Sequence, residues 1–403
     1  MGGILLLMGV GLLLVVGARA REGQTLHLMD LLPFALWLVS TLGLVLFLRI
    51  GGYRGSPALP GFILLLSAVG VLVRSRMEGS VEGVTGWSHL VQPLGFVWLW
   101  LAWWFSRRGR LKWLRPFWLP AFVLSLGIVA GVIALGSQFR GAMYGPGGMT
   151  PTELLKLLLP ISLAGFFSWR EAAWKNRPCW NPPVGRILLL GAGWAVLCGL
   201  LVIQRDLGLV LLLSLMLVVL VVSVTRSGSW FVLFAGVLAG SGWLILNHVA
   251  HGARRFHSWL DPFADPTGSG WQVLQGLTGL YAGGLTGTGL GGGQSERLPI
   301  AGSDFVYAVY GEEMGYLGCL LLLLLFAGLL REAARVANEQ EDAFSGSVAV
   351  AVVALLAVQI LVNIAGVVTL LPITGITLPY ISQGGSSYWV TSVQFGLLLG
   401  MAD

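Results

Sequence analysis

The chain has 403 residues, 56% hydrophobic and only 10% charged; a soluble globular domain carries roughly 25% charged residues, so lipid must replace water around most of its apolar surface. Its 24 Lys and Arg against 18 Asp and Glu give a formal charge of +6. The basic residues lie in short clusters between apolar runs, which is a topology pattern and not a nucleic-acid footprint. Cys179, Cys198 and Cys319 are too few and too scattered for a disulfide framework or a metal site.

In chain order, apolar runs long enough to span a bilayer occur near 2–18, 31–49, 57–73, 91–106, 116–136 and 151–169, and again near 185–203, 206–225, 229–248, 304–330, 346–371 and 386–402. Most are about 17–22 residues, which at 1.5 Å per residue suits a hydrocarbon core of about 30 Å. The expected fold is therefore an all-α polytopic membrane protein of about 12 transmembrane helices. The opening run, MGGILLLMGVGLLLVVGARA, lacks the positive n-region of a signal peptide and another apolar run follows at once, so it reads as an uncleaved helix. Leu6 also breaks the myristoylation pattern.

The densest basic loops, RRGRLKWLR at 107–115 and the stretch from Arg170 to Arg186, mark the cytoplasmic side. Alternation then places both termini inside, and puts 137–150, the turn at 204–206, 249–303 and 372–385 outside. The loop 249–303, of about 55 residues, exceeds ordinary connections and is the expected seat of function. Within it WQVLQGLTGLYAGGL is apolar enough to form a helix lying in or re-entering the membrane. The following Gly287-x-Gly289-x-x-Gly292 matches a dinucleotide fingerprint by coincidence, since no strand precedes it.

Charges at membrane depth are expensive, about 2.5–3.5 kcal/mol each on insertion scales, and need a reason. Glu153 and Lys156, three residues apart, share a helix face. Thr150-Pro151-Thr152-Glu153 reads as a capping box, whereas Lys156, a turn deeper, calls for pairing with Glu153 or with an anionic ligand. Asp206 either complements a helix N-terminus or serves the site. Two Asp-Pro units, at Asp261 and Asp265, suggest consecutive turns. One aspartate can be dismissed as a turn cap; two beside Arg255 and Gln272 are harder to dismiss, and a carboxylate near arginines is a plausible general base. Asp304 opens the run 304–330, in which Glu312 and Glu313 lie about 100° apart, so at least one must face the protein interior. Prolines and glycines in LPITGITLPYISQGGSSYW break a helix at a depth where irregular backbone is tolerated only if buried or lining a cavity.

The segments TPTELLKL, QRDLG, LDPFADPTGSGWQVLQ, GGLTGTGLGGG, SDFVYAVYGEEMGYLG and LPITGITLPYISQGGSS occur in an order that resembles the SEDS family, the RodA, FtsW and SpoVE group of cell-shape, division and sporulation proteins. The resemblance covers roughly residues 90–403. It implies a ten-helix core at 51–403, preceded by two additional helices within 1–50. It also implies a peptidoglycan glycosyltransferase that polymerises lipid II into β-1,4 glycan at the outer face of the bacterial cytoplasmic membrane, with a class B penicillin-binding protein as partner and undecaprenyl diphosphate as leaving group. By motif, Asp265 is the essential aspartate and expected general base. Arg255, Lys156, Glu153, Gln272, Asp206, Asp304, Glu312, Glu313 and Ser386 are carried over as substrate-binding positions. No metal site is assigned, although a divalent cation, Mg or Mn, at Asp265 stays open. Arg205 stands for the proline of the family's Q-P-D-L-G and Gln383 for the tyrosine of S-Y-G-G-S-S. Two other readings remain open at this level: a lipid II flippase, since broken helices and intramembrane charges also suit transport, and a non-catalytic scaffold for a transpeptidase.

Overall fold

The computed structural model describes residue 9 and residues 31–78, 88–139, 142–145, 150–169, 174–181, 183–248, 250–294 and 302–403. The opening run at 2–18, with its uncleaved-helix reading, otherwise lies outside the described residues. Every later apolar run is a helix: α1 (Leu32–Ile50), α2 (Ala58–Glu78), α3 (Val91–Ser106), α4 (Trp118–Leu135), α5 (Leu155–Ser168), α6 (Val184–Gln204), α7 (Leu207–Thr225), α8 (Ser229–His248), α11 (Val306–Asn338), α12 (Ala343–Val367) and α13 (Gly385–Met401). Among the described residues, seven helical stretches are long and apolar enough to cross a membrane by length and composition. One of them, Val91–Leu135, holds both α3 and α4, separated by left-handed Arg108 (φ 58) and Gly109 (φ 70). Shorter apolar helices, α5 and α13 among them, complete the set.

The described part of the loop 249–303 holds more than turns. It contains α9 (Ala250–Leu260), which the sequence reading did not anticipate, and α10 (Trp271–Gly283), which it did. A two-stranded antiparallel hairpin, β1 (Ser137–Phe139) with β2 (Ala142–Tyr144), precedes α5.

The chain divides into two compact units, one of Met1–Trp104, His257–Glu332 and Gln359–Asp403, the other of Phe105–Phe256 and Ala333–Val358. In the first, small residues let helices approach closely, as expected where lipid offers no hydrophobic drive for association. A side chain at Gly396 would meet the Leu99 carbonyl, and one at Gly95 would meet the Tyr388 ring. Trp37 donates to Ser67 (3.0 Å), joining α1 to α2, and Trp389 donates to the Val91 carbonyl (2.8 Å), joining α13 to α3. In the second, Trp118 of α4 lies against Gly165 of α5, and Gln204 donates to the Met143 carbonyl of the hairpin (3.3 Å).

Two irregular stretches in the first unit position the site. Helix α11 is interrupted at Gly315 (φ 66, ψ −173). In an unbroken helix the carbonyls of Glu312 and Glu313 would accept from the N–H groups of Tyr316 and Leu317. Instead those two N–H groups donate to Gly284 (2.9 Å) and Leu285 (3.1 Å), while the two carbonyls accept from Thr288 and Gly289 (3.0 Å each). The glycine-rich loop after α10 thus replaces the missing helical bonds. It must be glycine-rich because a side chain at Gly287 would sit 2.1 Å from the Glu313 carbonyl oxygen. This close backbone packing gives the G-x-G-x-x-G pattern a structural role.

The second stretch is the expected break before α13. Residues 376–382 are mostly buried irregular backbone, and side-chain amides of α12 serve it: Gln359 donates to the Thr377 carbonyl (2.8 Å) and Asn363 to that of Ile376 (2.7 Å). Buried backbone polar groups need such partners in a low-dielectric interior.

Candidate active site

Asp261 and Asp265 lie in the turns between α9 and α10. A pair of such aspartates is harder to dismiss as turn caps than one alone, yet both carboxylates cap turns. Asp261 Oδ1 accepts from the N–H groups of Phe263 (3.1 Å) and Ala264 (3.2 Å). Asp265 Oδ2 accepts from the N–H of Ser269 (2.7 Å) and from its hydroxyl (3.1 Å). The physical reason is shared: after each aspartate a proline lacks an N–H, so the first donors reachable lie further along the turn.

The two aspartates differ in how firmly they are held. The Asp265 carbonyl also accepts from Gly268 (3.3 Å) and Gly270 (3.0 Å). A side chain at Gly268 would meet Asp265 Oδ2 at 2.3 Å, and one at Gly270 would meet the Pro262 carbonyl oxygen at 2.0 Å. The Ser269 N–H, then the Ser269 hydroxyl, and finally the Gly268 N–H hold the Asp265 carboxyl below its ordinary value, against a smaller opposing effect of desolvation. Asp265 is exposed, ionised at neutral pH, and its Oδ1 has no hydrogen bond from the described residues.

Gln272 lies in the first turn of α10, two residues after Gly270, and is half-buried. Helix α10 is seated on α11 through glycines: a side chain at Gly276 would meet the Phe305 ring, and one at Gly283 the Gly311 carbonyl. Glu312 and Glu313 of α11 are both buried, 6% and 3% exposed, so the inward-facing expectation holds for the pair. Glu312 Oε1 accepts from the Gln294 N–H (2.9 Å), and its Oε2 has no hydrogen-bond partner among the described residues. Asp304 lies in the turn just before α11, and its carbonyl accepts from Asn363 (3.1 Å). Ser386 lies in the first turn of α13, half-buried.

The second unit gathers Glu153, Lys156, Asp206 and Arg255. Lys156 is buried, 3% exposed, and donates to Glu153 Oε2 at 2.7 Å. The capping box is not formed: Pro151–Leu154 is a 3-10 turn, Thr150 makes no side-chain capping bond, and the Glu153 carboxylate goes to the ammonium instead. A charge-assisted bond away from water outweighs a cap to a backbone N–H. Asp206 caps α7, Oδ1 accepting from the Leu209 N–H (3.0 Å). Burial raises its carboxyl; the Leu209 bond opposes this, Glu153 adds to it, and Lys156 and Arg255 reduce it. Asp206 therefore caps a helix and belongs to the charged cluster at once.

A family profile described as "Cell cycle protein", that of FtsW, RodA and SpoVE, matches residues 57–403. The chain belongs to this family. It is 36% identical over 253 residues to the peptidoglycan glycosyltransferase RodA of Mycobacterium tuberculosis strain H37Rv, covering 62% of this chain and 54% of that protein. It thus spans about half the length of that relative. Stage V sporulation protein E of Bacillus subtilis is 32% identical over 76% of this chain and 80% of its own. A probable peptidoglycan glycosyltransferase FtsW of a Geobacter species is 32% identical over 85% of this chain and 92% of its own. Among solved structures, one described as coordinating polymerization and crosslinking by a peptidoglycan synthase complex aligns with TM-score 0.67 and 25% identity, over 85% of this chain and 96% of that one. The Thermus thermophilus rod shape determining protein RodA aligns with TM-score 0.59 and 25% identity, over 85% and 95%. This FtsW/RodA/SpoVE-type chain is a multi-pass protein of the bacterial inner membrane.

For the divalent cation kept open at Asp265, the fit is poor. No group of three or more His, Cys, Asp or Glu side chains that could hold a metal occurs among the described residues. Asp261, the nearest carboxylate in sequence, is committed to its own turn.

Proposed function

We propose that this protein is a peptidoglycan glycosyltransferase that polymerises lipid II at the outer membrane face, with both termini cytoplasmic, the loop 249–303 outside and 1–50 an addition to the core of 51–403. The acceptor 4-hydroxyl oxygen attacks the donor anomeric carbon and the bond to the diphosphate breaks. Undecaprenyl diphosphate leaves, and the hydroxyl proton passes to Asp265. The observation that carries this reading is the Asp265 turn: an exposed carboxylate, ionised at neutral pH, pinned through one oxygen with the other open. A positioned base is worth about 10²–10⁴-fold. The depressed proton affinity suits a base that acts late, when bond formation has made the hydroxyl strongly acidic.

Charge developing on the diphosphate needs cations, and Arg255 and Lys156 are the candidates, Glu153 fixing the position of the Lys156 ammonium. Gln272, Asp206, Asp304, Glu312, Glu313 and Ser386 are proposed to shape substrate contact. A class B penicillin-binding protein would crosslink the product. Similarity to the peptidoglycan synthase complex and to the RodA and FtsW relatives supports this assignment.

The test is glycan formation from lipid II by the full chain in liposomes, with and without its transpeptidase, comparing wild type with Asp265→Ala. Product from wild type and none from a folded variant supports the assignment. Lipid II translocation without any polymer, from wild type with its partner, would replace it with the flippase reading.

A further inference from the structure

The segment between α3 and α4, Arg107–Phe117, is a 3-10 elbow in the second unit. Its sequence from Ser106 to Trp118, SRRGRLKWLRPFW, holds Arg107, Arg108, Arg110, Lys112 and Arg115 and no acid. The elbow is fixed from within. Leu111 is fully buried, Arg115 donates to the Ser168 carbonyl at the end of α5 (2.8 Å), and Trp118 stacks on Trp169 with ring centroids 6.2 Å apart.

What the elbow turns outward is mixed in character. Trp113 is 71% and Phe117 56% exposed, and Arg108 and Lys112 are exposed beside them. Below, α4 continues with exposed Leu119, Val123 and Leu124, the apolar wall expected to face acyl chains. Large aromatic rings with adjacent cations at the edge of such a wall fit the headgroup layer, where indole rings settle and cations meet lipid phosphates.

We propose that this elbow binds the phosphate headgroups of anionic phospholipids, Arg108 and Lys112 contacting phosphate while Trp113 and Phe117 insert at the glycerol level. The occupant is a lipid surface because the cations and the aromatic rings share one rim with the lipid-facing side of α4.

The test is native mass spectrometry of the full chain released from mixed micelles holding equimolar phosphatidylglycerol and phosphatidylcholine. Each cation near an anionic surface contributes about fivefold, the equivalent of about 1 kcal/mol. Wild type is expected to retain phosphatidylglycerol preferentially, and Arg108→Gln/Lys112→Gln to lower that preference at least fivefold with an unchanged melting temperature. Lys112→Gln alone, at an exposed position, gives a smaller fall in the same direction and serves if the double variant misfolds. An unchanged lipid ratio in these variants overturns the proposal. So does an equal fall in Arg205→Gln, whose arginine is exposed beyond the other end of α6, or displacement of the lipid by inorganic phosphate, which would indicate a free-anion site.

Discussion

Gly287 and Gly289 share a loop and a positive φ (82 and 89), yet alanine should harm them very differently. At Gly289 an added Cβ meets nothing within 4 Å, so the cost is backbone strain alone, about 1–2 kcal/mol. At Gly287 the Cβ would lie 2.1 Å from the Glu313 carbonyl oxygen and 2.7 Å from the Gly315 nitrogen. Both are backbone atoms and cannot rotate away. The loop must lift, which breaks the neighbouring bonds from Thr288 and Gly289 to the carbonyls of Glu312 and Glu313. At a net worth of about 1 kcal/mol each, their loss brings the total to about 3–4 kcal/mol. The assay is thermal unfolding of the detergent-solubilised full chain, read alongside polymer formation. Gly287→Ala is expected to lower the midpoint two to three times as far as Gly289→Ala. Equal shifts would falsify the claim that this loop replaces the hydrogen bonds missing at the α11 break.

The Lys156–Glu153 pair offers a second test. Lys156→Met leaves Glu153 uncompensated beside Asp206 and should cost about 3 kcal/mol, a figure at the low end for buried pairs because Glu153 keeps some solvent contact. Glu153→Gln/Lys156→Met should recover most of that stability without recovering polymerisation, as a melting curve and a lipid II assay would show. Asp206→Ala should lose the α7 cap, about 1 kcal/mol, whereas Asp206→Asn keeps a cap and relieves a half-buried charge. Its sign follows from linkage: a carboxyl raised by folding binds its proton more tightly in the native state, so wild type should gain stability relative to Asp206→Asn as pH falls towards the raised value. For Asp265 the sign reverses, because its folded value is depressed. Its contribution is present above the ordinary carboxylate value and is lost as pH falls below that range. Ser269→Ala removes the hydroxyl donor but keeps the 2.7 Å N–H bond, so the acid limb of the rate profile should move modestly upward.

Hydrophobic runs made the spanning helices legible, because in lipid a long apolar segment has no alternative to helix. Helix α9 was not legible. AHGARRFHSWL is short and polar, and only its amphipathic packing makes it a helix. The break at Gly315 was hidden as well, since GEEMGYLG reads as uninterrupted helix; its signal lay elsewhere, in the density of glycine at 283–293. Burial of Glu312 and Glu313 followed from the cost of charge in lipid, but the Gln294 N–H that meets Glu312 comes from a distant loop and has no local signature. The capping box failed because Glu153 could serve either its own helix end or Lys156, one turn on, and of these two expectations the pairing is the one that forms.

These failures share a cause that also explains how the site is held. The turn at 302–304 is tied to the segment before α13: Asn363 bridges the carbonyls of Asp304 and Ile376, Ser382 donates to the Ser303 carbonyl (2.6 Å), and the Gln383 N–H to that of Gly302 (2.5 Å). The first half of α11 in turn carries the glycine loop and, through Gly276 and Gly283, the helix α10 that follows the Asp265 turn. One helical segment therefore braces both stretches of irregular backbone, and each hydrogen bond in the brace joins residues far apart in sequence. Rigidity concentrated there leaves Asp265 as an exposed carboxylate on a fixed turn, the arrangement that a base acting on a large lipid-linked sugar requires. Loosening the brace at Gly287 should reduce polymerisation even though no atom of Asp265 has changed.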